Sequence, residues 1–330
     1  MSVTIRVLLT TALAVAAACA AAQGAAKDDA EATLSAVVRV QSRILPDART
    51  APTLGARREG SGVLVRDGYV LTIGYLVIEA EAIEVTAGDG KSVPAVLAAY
   101  DHASGFGLLK LVAPLSGKPL PLGDSGALAE RDAAMVVGYG GGEALNLVTV
   151  VSRRPFSGSW EYLLEAAIFT YPPVRNWSGA ALISARGELL GVGSLIVPDA
   201  GGAGTPAPGN LFVPIDLLKP ILDDLIVHGR APGPRRPWLG VYVEELRGRL
   251  FVARVASEGP AERAGVASGD LVIGVGGEEV ASLADFYRKV WARGAAGVEV
   301  PLRVLQGLEL KDLRVRSIDR LKYFRRRPSY

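Results

Sequence analysis

Cysteine and histidine are both scarce in this chain. Its 330 residues include one cysteine, Cys19, and two histidines, His102 and His228. A single cysteine excludes an internal disulfide and a cysteine-rich metal site. Two histidines leave few candidates for the general base that a serine hydroxyl needs before it can act as a nucleophile. The chain therefore has few of the side chains that build metal sites or that activate a serine hydroxyl.

Neither positive nor negative charge is in excess. The chain has 36 lysine and arginine residues against 34 aspartate and glutamate residues, which gives a formal net charge of +2. This balance does not indicate a nucleic acid or a strongly acidic partner. The sequence also shows no phosphate-binding loop and no metal-ligand pattern, so we expect no cofactor. A hydrophobic content of 49% and a length sufficient for two or three domains indicate ordinary compact domains.

The N-terminus has the pattern of a targeting segment. Arg6 precedes an apolar and small-residue stretch over residues 7–18, and Ala20-Ala21-Ala22-Gln23 resembles a signal-peptidase site. The stretch is short and alanine-rich for a membrane span. We therefore predict that residues 1–22 are a signal peptide and that the protein is exported, to the periplasm or out of the cell.

Two features could bring the exported protein to a membrane surface. Residues 16–19 distantly resemble a bacterial lipobox, so Cys19 either carries a lipid or leaves with the signal peptide. The arginine-rich end of the chain, including residues 321–330, is either a solvated basic tail or a contact with an anionic membrane, where each basic residue gains about 1 kcal/mol.

Short β-type runs separated by turn residues fill the chain from Ser35 to Pro214. Asp67-Gly68, Asp89-Gly90 and Arg186-Gly187 each lie between two such runs, as in β-hairpins. Many short strands at regular spacing favour a β-sandwich or β-barrel over a parallel α/β sheet. We therefore predict a mostly β fold for this part of the chain.

A helix and then a linker are predicted after the last strand. Asp216 is placed to cap a helix with one apolar face, formed by Leu218, Ile221, Leu222, Leu225 and Ile226. Residues 230–237 include three prolines and cannot continue a helix. This segment is the clearest domain boundary in the chain.

The region after the linker predicts a small α+β domain. Strand-like runs at residues 250–255 and 298–305 flank a helix predicted from Leu283 to Ala292, with Ser282 as its N-cap. Phe286 and Val290 lie on one face of that helix.

Taken in order, these motifs make the chain resemble the HtrA (DegP-like) family. The resemblance implies a trypsin-like double β-barrel at residues 33–229, the linker at 230–237 and a PDZ domain at 238–320. The motifs that carry it are Gly60-Ser61-Gly62-Val63, Asp67-Gly68-Tyr69-Val70-Leu71-Thr72, Leu120-Pro121-Leu122-Gly123-Asp124-Ser125, Gly187-Glu188-Leu189-Leu190-Gly191-Val192, Phe212-Val213-Pro214-Ile215 and Trp238-Leu239-Gly240-Val241.

The resemblance also indicates which catalytic positions have changed. Ser178 lies where the family has its serine nucleophile, and the backbone N–H groups of Asn176 and Ser178 would form the oxyanion hole. Asn176 replaces a glycine, so we expect backbone strain there. The family's histidine and aspartate positions hold Tyr75 and Gly105. A tyrosine has a pKa of about 10 and is a poor proton acceptor at neutral pH.

Other bases are weaker candidates. His228 follows the predicted helix, outside the barrels, and we expect His102 to be an exposed loop residue. Lys110 could form a dyad with Ser178, but we expect its amine to lie in solvent on a strand. We therefore interpret the barrel domain as catalytically inactive.

The PDZ resemblance implies a peptide-binding groove. Leu239, Gly240 and Val241 would form the loop that binds a peptide carboxylate, and Val243 would lie on the strand that pairs with the peptide. Phe286 and Val290 either contact the ligand or pack in the core, so the groove residues are predicted as Leu239, Gly240, Val241, Val243, Phe286 and Val290.

Three hypotheses for function follow. The first is an exported pseudoprotease that binds peptide C-termini or unfolded proteins through the barrel groove and the PDZ domain. The second is an active serine endopeptidase of envelope protein quality control that uses a non-standard base. The third is a structural partner of an active HtrA relative. The resemblance implies a homotrimer, although no residue in the sequence establishes one.

Overall fold

The computed structural model describes residues 31–140, 145–202 and 206–325. The predicted signal peptide, Cys19 and the last five residues of the basic tail lie outside these ranges. The described chain is mostly β, with a trypsin-like domain followed by a PDZ domain, which confirms the predicted fold class. Within the same ranges, no helix has the length and apolar character that a membrane crossing requires.

The first β-barrel is built from six antiparallel strands. They close in the order β1-β2-β3-β6-β5-β4. The predicted Asp67-Gly68 turn connects β2 to β3, and a 3₁₀ turn at Gly74–Leu76 follows β3. A short helix α1 (Ala51–Leu54) lies between β1 and β2. The strands are β1 (Val37–Ile44), β2 (Arg57–Arg66), β3 (Tyr69–Ile73), β4 (Ala80–Thr86), β5 (Ser92–Tyr100) and β6 (Phe106–Leu111).

The second barrel repeats this architecture and carries one long hairpin. Its strands close in the order β10-β11-β12-β9-β8-β7. The hairpin of β8 and β9 turns at residues 158–162. Both barrels contribute to one continuous apolar core. The strands are β7 (Ala133–Val137), β8 (Leu145–Gly158), β9 (Tyr162–Tyr171), β10 (Ala181–Ile183), β11 (Leu189–Val197) and β12 (Gly209–Pro214).

The helix before the linker is shorter than predicted, and Asp216 does not cap it. A 3₁₀ turn covers Ile215–Leu217, and the helix α2 covers Leu222–His228. Pro220 explains the interruption because proline cannot donate a helical N–H and disfavours helix in the residue before it. The carboxylate of Asp216 instead accepts hydrogen bonds from the Ser125 hydroxyl (2.8 Å) and the Gly126 N–H (2.6 Å).

The PDZ domain is a sheet in the order β13-β14-β15-β17-β18 with β16 paired to β15. The predicted helix α4 is confirmed, and the Ser282 hydroxyl accepts the Asp285 N–H at its start. Strand β13 lies at the edge of the sheet. The elements are β13 (Val241–Leu246), β14 (Arg249–Val255), α3 (Pro260–Arg263), β15 (Leu271–Val275), β16 (Glu278–Glu279), α4 (Leu283–Ala292), β17 (Glu299–Gln306) and β18 (Glu309–Arg316).

The start of the basic tail packs against the rest of the protein. The Tyr323 ring lies 4.6 Å from the Trp238 ring, and the Arg325 N–H donates to the Glu79 carboxylate at 2.8 Å. Residues 321–325 thus contact both domains, with Lys322 and Arg325 exposed, and the choice between a solvated tail and a membrane contact stays a prediction.

Candidate active site and peptide groove

Ser178 lies in the turn that precedes β10, and close packing against β2 fixes this turn. The Ser178 carbonyl accepts the Ser61 N–H at 2.8 Å. Gly179 has a φ of +73°, and a Cβ atom at this position would lie 1.9 Å from the Ser61 carbonyl oxygen. Only glycine allows so close an approach of two backbone segments. The Ser-Gly pair of the sequence therefore places the Ser178 hydroxyl at the junction of the two barrels.

Tyr75 lies next to Ser178. It belongs to the 3₁₀ turn after β3, and its Oη atom is 2.8 Å from the Ser178 Oγ atom. The same Oη donates to the Ser194 carbonyl at 2.8 Å. A phenol has only one proton to donate, so the Ser178 hydroxyl must be the donor toward Tyr75. The serine proton therefore points at a neutral phenol oxygen.

Tyr75 is not a base near neutral pH. Burial raises the pKa of Tyr75 to about 12, and the hydrogen bond with Ser178 only partly opposes this shift. Arg58 supports the turn because its Nη1 atom donates to the carbonyls of Tyr75 (2.7 Å) and Ile78 (3.1 Å). The phenol is therefore held against the serine and cannot take up its proton.

Gly105 adjoins this pair through the backbone. Its carbonyl accepts the N–H of Gly74, the residue before Tyr75, at 2.7 Å. A Cβ atom at Gly105 would lie 3.2 Å from the hydroxyl of Tyr162, which itself donates to the Ser104 carbonyl at 2.6 Å. The structure thus brings Ser178, Tyr75 and Gly105 together, and a second tyrosine lies where a side chain at position 105 would begin.

The two histidines have other surroundings. The His102 ring is half-buried, 4.4 Å from the Tyr100 ring and 5.8 Å from the Phe324 ring, so the expectation of an exposed residue is wrong. His228 is exposed at the end of α2, with Nε2 3.8 Å from Asp224. In the part of the chain that the structure describes, neither imidazole is hydrogen-bonded to Ser178. Lys110 is exposed on β6.

The turn around Asn176 is not strained. Asn176 does not have a positive φ, so the backbone strain expected from replacing a glycine is absent. Within the turn, the Gly179 N–H donates to the Gly193 carbonyl at 2.8 Å and the Ala180 N–H to the Trp177 carbonyl at 3.0 Å. An oxyanion role for the Asn176 and Ser178 N–H groups stays a prediction.

The predicted carboxylate-binding loop of the PDZ domain holds a carboxylate from the same chain. The N–H groups of Leu239 (3.0 Å), Gly240 (2.7 Å) and Val241 (3.1 Å) all donate to the side chain of Glu161, at the tip of the β8–β9 hairpin. Glu161 is only 7% exposed. Sequence reasoning identified the three loop residues but missed the glutamate that occupies the loop.

The residues beside Glu161 lie along the edge strand. The Val243 N–H donates to the Ser159 carbonyl at 3.0 Å. The Tyr287 hydroxyl of α4 donates to the Gly158 carbonyl at 2.7 Å and lies 3.2 Å from the Glu161 nitrogen, whose N–H it accepts. The hairpin tip thus lies between β13 and α4.

The remaining predicted groove residues form the core around this tip. Leu239, Val241, Val243, Phe286 and Val290 are all buried in the apolar cluster of the PDZ domain. Leu163 of β9 belongs to the same cluster. The core interpretation therefore holds for Phe286 and Val290, and a role for them in ligand contact stays a prediction.

The environment of Glu161 changes its acidity. Burial raises the pKa of Glu161 to about 7, although the three backbone N–H groups and the positive charge of Arg320 act in the opposite direction. Arg320 also donates from Nη1 to the Trp160 carbonyl at 3.0 Å. Glu161 is thus a buried carboxyl group whose pKa lies near neutral pH.

Comparison with known proteins agrees with this architecture. A model of the trypsin-like peptidase domain matches residues 60–192, and a PDZ domain model matches residues 237–316. The chain is 29% identical over 276 residues to a probable periplasmic serine protease do/HhoA-like from Haemophilus influenzae, covering 78% of this chain and 57% of that protein. The chain belongs to the HtrA/DegP-like family.

Further relatives of this HtrA-like chain are longer than it is. The periplasmic serine endoprotease DegP of Escherichia coli is 28% identical over 249 residues, which are 70% of this chain and 51% of that protein. The chain therefore spans about half the length of the curated relatives it matches.

Solved structures show the same fold. An HtrA-type protease AlgW with tripeptide has a TM-score of 0.54 at 22% identity, covering 92% of this chain and 98% of that one. A serine endoprotease from Yersinia pestis has a TM-score of 0.53 at 23% identity, covering 88% and 97%.

Proposed function

We propose that this chain is an exported HtrA-like pseudoprotease that binds peptides or unfolded protein segments without cutting them. The observation that carries the proposal is the contact of the Ser178 hydroxyl with Tyr75, 2.8 Å away, in the position where the family has a histidine. Acyl transfer requires a group that accepts the serine proton during attack. A phenol that already donates its own proton to a carbonyl does not supply that acceptor.

The missing carboxylate supports the same conclusion. In a serine triad the carboxylate holds the imidazole in the required tautomer, and its loss alone lowers kcat by about 10⁴-fold. Here Gly105 has no side chain, and Tyr162 lies beside it. Both partners that a serine nucleophile depends on are therefore replaced, while the serine remains.

Peptide binding is proposed on the basis of the PDZ domain and the groove between the barrels. Edge strand β13 and the Leu239–Val241 loop have the groups that pair with an extended peptide and its terminal carboxylate. The N-terminal pattern and relatives named as periplasmic proteases support a periplasmic or secreted location. Anchoring through a lipid on Cys19 and membrane contact through the basic tail are further proposals.

The test is an activity measurement on the purified protein. We expect no reaction of Ser178 with a fluorophosphonate probe and no cleavage of fluorescent casein, with an active HtrA protease as the positive control. The Ser178→Ala variant is the matched negative control. Cleavage that disappears in Ser178→Ala would instead establish the second hypothesis, an active endopeptidase with a non-standard base.

Assembly requires a separate experiment. A homotrimer, or a complex with an active HtrA relative, would make the chain a scaffold as well as a binder. Measurement of its mass in solution, together with co-purification from its native envelope, separates these arrangements from a monomer.

A further inference from the structure

We propose that the tip of the β8–β9 hairpin, residues 158–162, is an internal ligand that closes the PDZ groove, and that an external chain end must displace it. This inference rests on the proposed peptide-binding function and concerns the regulation of that same groove. It is carried by the contacts that the tip makes with the loop, the edge strand and the helix of the PDZ domain.

Glu161 imitates a chain terminus. Three successive backbone N–H groups, those of Leu239, Gly240 and Val241, converge on its carboxylate at 2.7–3.1 Å. Convergent backbone N–H groups of this kind capture the terminal carboxylate of a peptide. The Glu161 side chain offers the same two acceptor oxygens, so it satisfies the same donors.

The chain before Glu161 imitates the body of a bound peptide. Ser159, two residues before Glu161, accepts the Val243 N–H of β13 at 3.0 Å. Residues 159–161 form a turn, and the Ser159 carbonyl takes one of the edge-strand N–H groups with which a peptide added to this sheet would pair. The tip therefore occupies both the carboxylate position and the strand-pairing position of the groove.

Further contacts hold the tip in place. The Tyr287 hydroxyl of α4 binds the Gly158 carbonyl and the Glu161 N–H, and Arg320 donates to the Trp160 carbonyl. Glu161 itself has a φ of +58°, which is unfavourable for a residue with a side chain. This conformation persists because contacts from the PDZ domain surround the residue.

The occupant also indicates the kind of chain end that can replace it. Leu163 of the same hairpin is buried in the apolar cluster that includes Phe286 and Val290. A competing ligand must restore both a free carboxylate and buried apolar contacts. A probe for the open groove should therefore carry a free C-terminal carboxylate and an apolar last side chain.

The experiment compares peptide binding by the wild-type chain and by Glu161→Ala and Glu161→Gln. The probe is a fluorescein-labelled pool of decapeptides that end in valine, leucine or phenylalanine with a free carboxylate, and the same pool with amidated ends is the negative control. Glu130→Gln is the control variant because Glu130 is exposed on a distant turn. If the groove is open in only a small fraction of molecules, the apparent affinity for peptide is reduced by that fraction. We therefore expect Glu161→Ala to bind the free-carboxylate peptides about ten-fold tighter than the wild type, or more.

Hydrogen exchange of the Leu239, Gly240 and Val241 amides gives a readout that needs no ligand. These amides should exchange slowly in the wild type and in Glu130→Gln, and faster in Glu161→Ala. Fast exchange in the wild type, or equal peptide affinity of wild type and Glu161→Ala, would overturn the internal-ligand proposal. Exchange as expected with no peptide binding by any variant would leave the closure intact and refute the proposed peptide-binding function instead.

Discussion

At the scale of single residues, the central feature is a hydroxyl in contact with a hydroxyl. Ser178 and Tyr75 satisfy one another through a hydrogen bond of 2.8 Å, and Tyr75 in turn donates to the Ser194 carbonyl. In a working triad the partner of the serine would accept its proton. The neighbour of the serine instead has a pKa of about 12 and is a poor proton acceptor near neutral pH.

Restoring the histidine alone should not restore cleavage. The Tyr75→His variant gains an imidazole, but Gly105 still provides no carboxylate to orient it, and that omission costs about 10⁴-fold in kcat. We expect cleavage of peptide substrates to remain at background in Tyr75→His. Cleavage by Tyr75→His that is abolished by adding Ser178→Ala would contradict this expectation.

Adding a side chain at Gly105 should destabilise the barrel domain. Gly105 has a φ of +81°, and its Cβ position lies 3.2 Å from the Tyr162 hydroxyl. Gly68→Ala is a matched control because Gly68 has a φ of +74° with open space around it. A left-handed alanine costs about 1–2 kcal/mol, so we expect Gly105→Ala to lower the free energy of unfolding by more than Gly68→Ala does. Denaturant unfolding of both variants measures the difference, and equal losses would show that Tyr162 adds no constraint.

Residues with a local or motif signal were predictable, whereas residues that depend on distant partners were not. The resemblance to the HtrA family located Tyr75 and Gly105. Glu161 contacts a loop 78 positions away in sequence, and no local pattern marks it as a ligand. The signal that could have pointed to it is the Leu239–Val241 loop, whose backbone N–H groups need a hydrogen-bond acceptor.

At the scale of secondary-structure elements, the sequence predicts where a helix begins when the residues that set its start lie within the helix or next to it. Helix α4 begins at its predicted cap, Ser282, because the capping hydrogen bond lies within one turn. Helix α2 begins later than predicted because Pro220 interrupts the apolar pattern. No turn motif in the sequence marks the tip of the β8–β9 hairpin, whose contacts lie in the PDZ domain.

The hydroxyl of Tyr287 should contribute to closure of the groove. Tyr287→Phe keeps the ring of α4 but removes the hydrogen bonds to Gly158 and Glu161, and a buried hydrogen bond contributes about 1 kcal/mol. We therefore expect peptides with free C-termini to bind several-fold tighter to Tyr287→Phe in a fluorescence polarisation assay.

Tyr242→Phe is the control for this experiment. Tyr242 lies on β13 under the guanidinium of Arg254, and its ring is kept in the variant. Wild-type affinity is expected for Tyr242→Phe, and an equal gain in both variants would show that the effect does not come from the hairpin tip.

At the scale of the whole molecule, docking of the two domains is linked to pH through Glu161. Its pKa is about 7 when docked, against an ordinary value of 4.5 when exposed, and the charged or titratable groups that face it are Arg320 and Tyr287. The raised pKa means that the docked state binds the proton more tightly. The resulting stabilisation of docking is complete below about pH 4.5 and is lost as the pH rises through 7.

Peptide binding should accordingly strengthen as the pH rises. Because displacement of the tip releases a proton from Glu161, we expect the affinity for free C-termini to increase on the order of ten-fold between pH 5.5 and pH 8. Glu161→Gln cannot release this proton and should show a flat profile over the same range. A wild-type profile as flat as that of Glu161→Gln would contradict the linkage.

Neighbouring positions of one short turn face two different domains. The carboxylate of Glu161 enters the PDZ loop, while the hydroxyl of the next residue, Tyr162, holds the Ser104 carbonyl beside Gly105. A single peptide bond therefore separates the residue whose carboxylate lies in the PDZ loop from the residue whose hydroxyl lies beside Gly105. We therefore expect a ligand that displaces Glu161 also to shift the Tyr162 hydroxyl relative to the Ser104 carbonyl, so that occupation of the PDZ groove changes the surroundings of Gly105.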